Sequence, residues 1–216
     1  MYDGAGSELG QLSFDFGAPP PGGLPPDRGG GRGEPQEVLF FAVTPPPTIA
    51  HGVASLGADL ARREGLKLRL HAPDRFHLSL VGWRLDRRTR EDSIAAAREL
   101  GRTITWNSFE VVLTTALSFG RTGARPLVLG CSPGSAWALT GLHDRLLAEA
   151  PQVGVHLRGR TAFEPHLTLA YSRTPIVEQP LEMPVRWMAS ELVLILSEQG
   201  RGRHTVVGRW PFHPQG

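Results

Sequence analysis

Arg75-Phe76-His77-Leu78-Ser79-Leu80-Val81-Gly82-Trp83 alternates apolar and polar residues, and Phe163-Glu164-Pro165-His166-Leu167-Thr168-Leu169-Ala170-Tyr171 does so again 89 positions later. Alternation with period two is the mark of a half-buried strand. In such a strand Phe76, Leu78 and Leu80 point into a core, while His77 and Ser79 point to the other face. The second copy sends Leu167 and Leu169 inward and His166 and Thr168 outward. At a rise of about 3.3 Å per residue, each strand thus shows an imidazole and a hydroxyl roughly 7 Å apart on one face. A single tetrapeptide of this kind is weak evidence, since exposed histidine on an amphipathic strand is ordinary. Two copies, each in a strand-like context, point to shared chemistry. Imidazoles titrate near neutrality and hydroxyls donate to phosphate oxygens, which is equipment for acid–base work on a phosphate.

Outward from these two stretches the chain alternates strands and helices. A strand is expected at 38–43, running into Thr44-Pro45-Pro46-Pro47, then a helix carrying Ile49, Val53, Leu56 and Leu60 at helical spacing and stopping near Gly65. A helix near 89–100 follows the first motif strand, then strands near 109–119 and 125–130. A helix near 134–149 places Trp137, Leu142 and Leu146 on one face. After the second motif strand come strands near 187–197 and 203–210. Each half therefore holds strands, one or two helices and one motif. The expected fold is α+β and two-lobed, with pseudo-twofold symmetry and a cleft between the lobes. Residues 1–36 are rich in Gly and Pro, bury no core and are expected to be disordered; the folded domain is expected to span 37–213.

Here the residues carry a resemblance. The two tetrapeptides are similar to the paired HxTx motifs of the two-histidine (LigT-like) phosphoesterases, and the chain most resembles the bacterial RNA 2′,3′-cyclic phosphodiesterases, also called 2′-5′ RNA ligases. The likeness runs from Glu37 to Phe212 and includes the opening Val38-Leu39-Phe40-Phe41-Ala42-Val43 and the closing stretch from Ala189 to Pro211. Ser79 stands where the family usually has Thr, Tyr171 where it usually has Arg, and His204 where Tyr is common.

The resemblance implies a LigT-like fold with mainly antiparallel sheets lining a central cleft and helices outside. It implies metal-independent hydrolysis of RNA 2′,3′-cyclic phosphate ends to 2′-phosphomonoesters, with 2′-5′ ligation as the reverse reaction. His77 would be the general acid and His166 the general base, although the symmetry of the pair leaves the reverse order open. Ser79 and Thr168 would hold the non-bridging oxygens. Arg75, Arg160 and Arg173 flank the motifs and are candidates for the RNA backbone, with Tyr171 and Phe163 placed to stack a base. A phosphodiesterase for another cyclic or 2′-5′-linked nucleotide, and a non-catalytic binder of RNA ends, remain open readings.

Composition narrows the rest. There is no HExxH, no cysteine pairing, no GxSxG elbow, and Gly130-Cys131-Ser132-Pro133-Gly134-Ser135 lacks the lysine of a phosphate-binding loop, so neither metal nor cofactor is expected. The single Cys131 fits a reducing compartment. No apolar run reaches the roughly 18 residues of a membrane span, and the N-terminus lacks a secretory pattern, so a cytoplasmic protein with no membrane partner is expected. Net charge is +2, yet 22 of the 23 basic residues are arginine. That usage suits bidentate phosphate contacts but follows equally from GC-rich coding. The expected partners are RNA ends or small cyclic-phosphate nucleotides, met by a monomer.

Overall fold

In the computed structural model, residues 36–120, 124–155, 157, 163–199 and 201–214 are described. The Gly/Pro-rich segment 1–36 lies, but for Gln36, outside them. The continuous apolar run at the start forms β1 (Glu37–Val43), buried on both faces from Val38 onward. Pro47 opens α1 (Pro47–Arg63), where a missing N–H costs nothing. β2 (Leu78–Arg84) carries the first motif, and α2 (Arg90–Thr103) follows. Then come β3 (Phe109–Ser118), β4 (Arg125–Cys131) and α3 (Pro133–Glu149), whose first turn is capped by the Ser132 hydroxyl accepting from the Ser135 N–H. β5 (His166–Ser172) carries the second motif, and β6 (Gln179–Ala189), β7 (Glu191–Glu198) and β8 (Arg203–Pro211) close the chain.

The eight strands of the described residues join one antiparallel sheet in the order β6-β3-β4-β5-β2-β1-β7-β8. Its halves are the expected lobes. Strand–helix–motif strand occurs twice, as β1-α1-β2 and as β4-α3-β5, and the two motif strands meet at the centre of the sheet with Leu78 opposite Leu167. The helices cover one face, burying Leu39, Phe41, Leu78, Leu80, Leu127, Leu129, Leu167 and Leu169 in a single core. They also tie the lobes together: a Cβ on Gly57 of α1 would lie 3.6 Å from Leu169 of β5, and Arg63 at the end of α1 pairs with Glu182 of β6 at 2.5 Å. Among the described residues, the other face carries the small cluster Val38, Phe40, Ala42, Val193 and Ile195, and no described helix covers the motif side chains there.

Three local expectations change. The motif strands begin at Leu78 and His166 rather than at 75 and 163, because Pro73 opens a single 3-10 turn through Arg75 and Pro165 has no N–H for the ladder. The run at 187–197 is two strands broken at Ser190, where the chain leaves the β3 edge for β1. β6 begins as early as Gln179. Trp137 is 81% exposed and off the buried face of α3. At 3.6 residues per turn it sits about 140° around the helix from Leu142, and Leu139 fills the place instead.

Candidate active site

Alternation along β2 and β5 sends Leu78 and Leu167 to the helix layer and the motif polar residues to the open face. Extending the Leu78–Leu167 register by one residue each way sets His77 beside Thr168 and Ser79 beside His166. Each imidazole therefore faces the hydroxyl of the other motif. The hydroxyls of Ser79 and Thr168 make no hydrogen bond to another described residue.

The two histidines are held alike. His77 Nδ1 lies 2.7 Å from the carbonyl oxygen of Arg75, and His166 Nδ1 lies 2.8 Å from that of Glu164, in each case two residues back. A carbonyl only accepts, so Nδ1 carries the proton and donates it at both positions. In this tautomer Nε2 is the nitrogen that can take or return a proton. A phenylalanine supports each ring: Phe40 with centroids 4.9 Å from His77, and Phe119 edge-on at 4.8 Å from His166.

The duplication extends past the tetrapeptides. β2 carries one extra residue against β1 between Ser79 and Gly82, and β5 carries one against β4 between Thr168 and Ala170. Each bulge leaves consecutive residues buried, Leu80-Val81 and Leu169-Ala170, and so resets the alternation. Without the bulge Tyr171 would share the face of Leu167. With it, Tyr171 pairs with Pro126 and lies on the face of Thr168, half-buried, its ring edge-on to His71 at 5.8 Å.

The other expected residues divide. Arg75 is in the site: half-buried, its guanidinium Nη2 lies 3.4 Å from His204 Nε2. Arg173 lies beyond the end of β5 and is exposed. Phe163 stacks on the buried His143 at 4.3 Å and is committed there. Arg160, like His156, lies outside the described residues.

Two histidines join that the motifs did not indicate. The His204 ring of β8 lies edge-on to His77 at 5.4 Å and to Phe40 at 5.7 Å. His71 donates its backbone N–H to Leu169 O at 2.8 Å, beside Tyr171. Burial and neighbouring cations push all three imidazoles down. His77 falls to about 4, through burial first and then Arg75 and His166, against the rise from its bond to the Arg75 carbonyl. His71 falls to about 4, through burial, Arg75 and His77. His204 falls to about 3, through burial and then His77, Arg75 and His71. Burial also lowers Arg75 below its ordinary value. Beside His77 and under His204 lies a cavity of about 440 Å³, with Ile195 and Val206 as its floor and Arg75 and Arg209 on its walls. Among the described residues no group of three or more His, Cys, Asp or Glu is arranged to hold a metal ion, and no helix is long and apolar enough to cross a membrane.

A central strand pair that presents two imidazoles and two hydroxyls about a pseudo-twofold defines a LigT-like two-histidine phosphoesterase. The chain matches the 2′-5′ RNA ligase superfamily over residues 45–201 and belongs to it. Among solved structures, E. coli LigT in apo form is 27% identical, with a TM-score of 0.65 over 83% of this chain and 99% of that one. E. coli LigT complexed with 3′-AMP is 26% identical, with a TM-score of 0.63 over the same shares. A Thermus thermophilus protein, TT0787, is 19% identical with a TM-score of 0.58 over 83% of this chain and 100% of that one, and shares the fold. No curated protein sequence matches the chain.

Proposed function

We propose that the protein hydrolyses RNA 2′,3′-cyclic phosphate ends to 2′-phosphomonoesters without a metal ion, and can join a 5′-hydroxyl RNA to such an end through a 2′-5′ bond in reverse. The observation that carries this reading is the matched pair of imidazoles on adjacent motif strands, each donating from Nδ1 to a backbone carbonyl two residues back, which fixes the same tautomer at both. His166 takes a proton from water as the water oxygen bonds to phosphorus. The bond from phosphorus to the ribose 3′-oxygen breaks, and His77 protonates that oxygen, leaving a 3′-hydroxyl and a 2′-phosphate. Ser79 and Thr168 donate to the non-bridging oxygens as their charge grows. That E. coli LigT binds 3′-AMP supports a nucleotide phosphate as the ligand of this site.

The test is a short RNA ending in a 2′,3′-cyclic phosphate, incubated in excess EDTA and followed by phosphorus NMR. The expected product is the 2′-phosphate. His77→Ala and His166→Ala should each lower kcat by about 10²–10⁴, the usual worth of a positioned acid or base. Turnover that survives both substitutions, or that EDTA abolishes, would overturn the reading.

A further inference from the structure

The catalytic pair and its hydroxyls account for one phosphate. The cavity beside His77 holds cationic groups that this phosphate does not use. Among the described residues, the buried Arg75 Nε has no hydrogen-bond partner, and Nη2 lies 3.4 Å from His204 Nε2. No described carboxylate lies within ion-pair distance of Arg75; Asp74 is exposed at the cavity mouth, and Glu191 is bonded to Arg209. Arginine is always charged and its fork matches a phosphate, so a half-buried guanidinium that faces a cavity with no ion-pair partner among the described residues is placed to take an anion. The pKa values are consistent with this: after burial, Arg75 lowers His71, His77 and His204 alike, and His77 and His71 lower His204 further. The floor of Ile195 and Val206 is apolar, Val206 being 41% exposed, and about 440 Å³ falls within the range of small-ligand sites.

We propose that this cavity is a second phosphate subsite, in which Arg75 and His204 hold the phosphate on the 5′ side of the terminal nucleotide, so that the substrate is the end of an RNA chain in preference to a bare nucleoside cyclic phosphate. The proposal rests on the cyclic-phosphodiesterase reading of the His77–His166 pair. The geometry suits it: His204 stands 5.4 Å from His77, centre to centre, on the side away from β5. A ribose whose 2′,3′-phosphate sits between the motif histidines carries its nearest other phosphate on its own 5′-oxygen. One ribose links the two subsites, and sugar or base can lie over the apolar floor.

The test compares adenosine 2′-phosphate with adenosine 2′,5′-bisphosphate by titration calorimetry in phosphate-free buffer. Wild type, His204→Phe and Arg75→Gln are titrated, and cyclic-phosphate turnover is followed in parallel. The 5′-phosphate should tighten binding to wild type by about tenfold or more, the worth of a charge-assisted contact. In each variant most of that ratio should vanish. His204→Phe keeps a ring against Phe40, and because the readout is a ratio of two ligands, a general weakening does not imitate the effect. Equal affinities in wild type, or a ratio unchanged in both variants, would overturn the subsite even if cyclic phosphates are hydrolysed. A preserved ratio with no cyclic-phosphate turnover would sink the phosphodiesterase reading and leave the second subsite standing.

Discussion

Before any anion binds, His77 is neutral at pH 7. Its pKa of about 4, set by burial and by Arg75 and His166, leaves Nε2 unprotonated at pH 7. In the proposed role of acid it must gain its proton with the substrate, when the phosphate's negative charge offsets those neighbours. Binding of an anion at pH 7 should therefore take up about one proton per site, an amount linkage converts from the pKa change. Sulfate is the probe, because it has no titrating proton near neutrality. Calorimetry in two buffers of different ionisation enthalpy reads the uptake, which should disappear in His77→Ala. No uptake in wild type would make His77 the base and pass the acid role to His166. At this scale the sequence is informative where the chemistry is local. The two histidines and two hydroxyls are found by strand period within four residues. His204 is not, because it lies 129 positions from Arg75 and reaches it only through the pairing of β1, β7 and β8.

Two glycines in helices separate packing from propensity. Gly101 of α2 faces the ring of Trp210, and a Cβ there would come within 2.3 Å of it. Gly208 lies against the same ring, where a Cβ would meet it at 2.4 Å, so the indole has little room to withdraw. Overpacking of this kind costs about 1–3 kcal/mol, while alanine returns up to about 1 kcal/mol of helix propensity. Gly101→Ala should thus lower stability by roughly 1–2 kcal/mol, a drop in Tm of about 2–8 °C for a chain of this size. Gly52 of α1 has nothing within 4 Å of its would-be Cβ, and Gly52→Ala should raise stability by up to about 1 kcal/mol. Thermal melts of the two variants should move in opposite directions; a shift of the same sign would refute the packing account. Element by element, the buried strands and the three helices are plain in the sequence because their apolar periods are strong. β6 is not, since it is an edge strand, largely exposed and interrupted by Pro180 and Pro184, and its place is set by pairing with β3. The bulges in β2 and β5 are equally hidden, because Leu80-Val81 and Leu169-Ala170 read as ordinary apolar pairs until the partner strands are in place.

The whole molecule pairs a sheet covered by helices on one face with a cleft on the other, and that cleft concentrates three neutral imidazoles around one guanidinium. The arrangement has a thermodynamic consequence for the entire fold. His71, His77 and His204 have folded pKa values of about 4, 4 and 3, all below their ordinary value of 6.5. Between those values the unfolded chain binds protons that the folded chain refuses, so stability falls as pH falls. The contribution is fully present above about pH 6.5 and is lost progressively toward pH 4. Carboxylate protonation acts mainly below that window, and most ion pairs here are exposed and weak, as at Arg62–Asp59 and Arg102–Glu99. Urea midpoints should therefore be level above pH 7 and decline between pH 6.5 and 5. His204→Phe should flatten the decline by deleting one of the three groups that the fold holds neutral. A bound anion should act in the same direction as that substitution, because it lets the cluster protonate without unfolding. Saturating adenosine 2′-phosphate should then protect the fold more at pH 5.5 than its pH 7.5 affinity predicts. A wild-type profile as flat as that of His204→Phe would show that the cleft histidines are not held neutral by the fold.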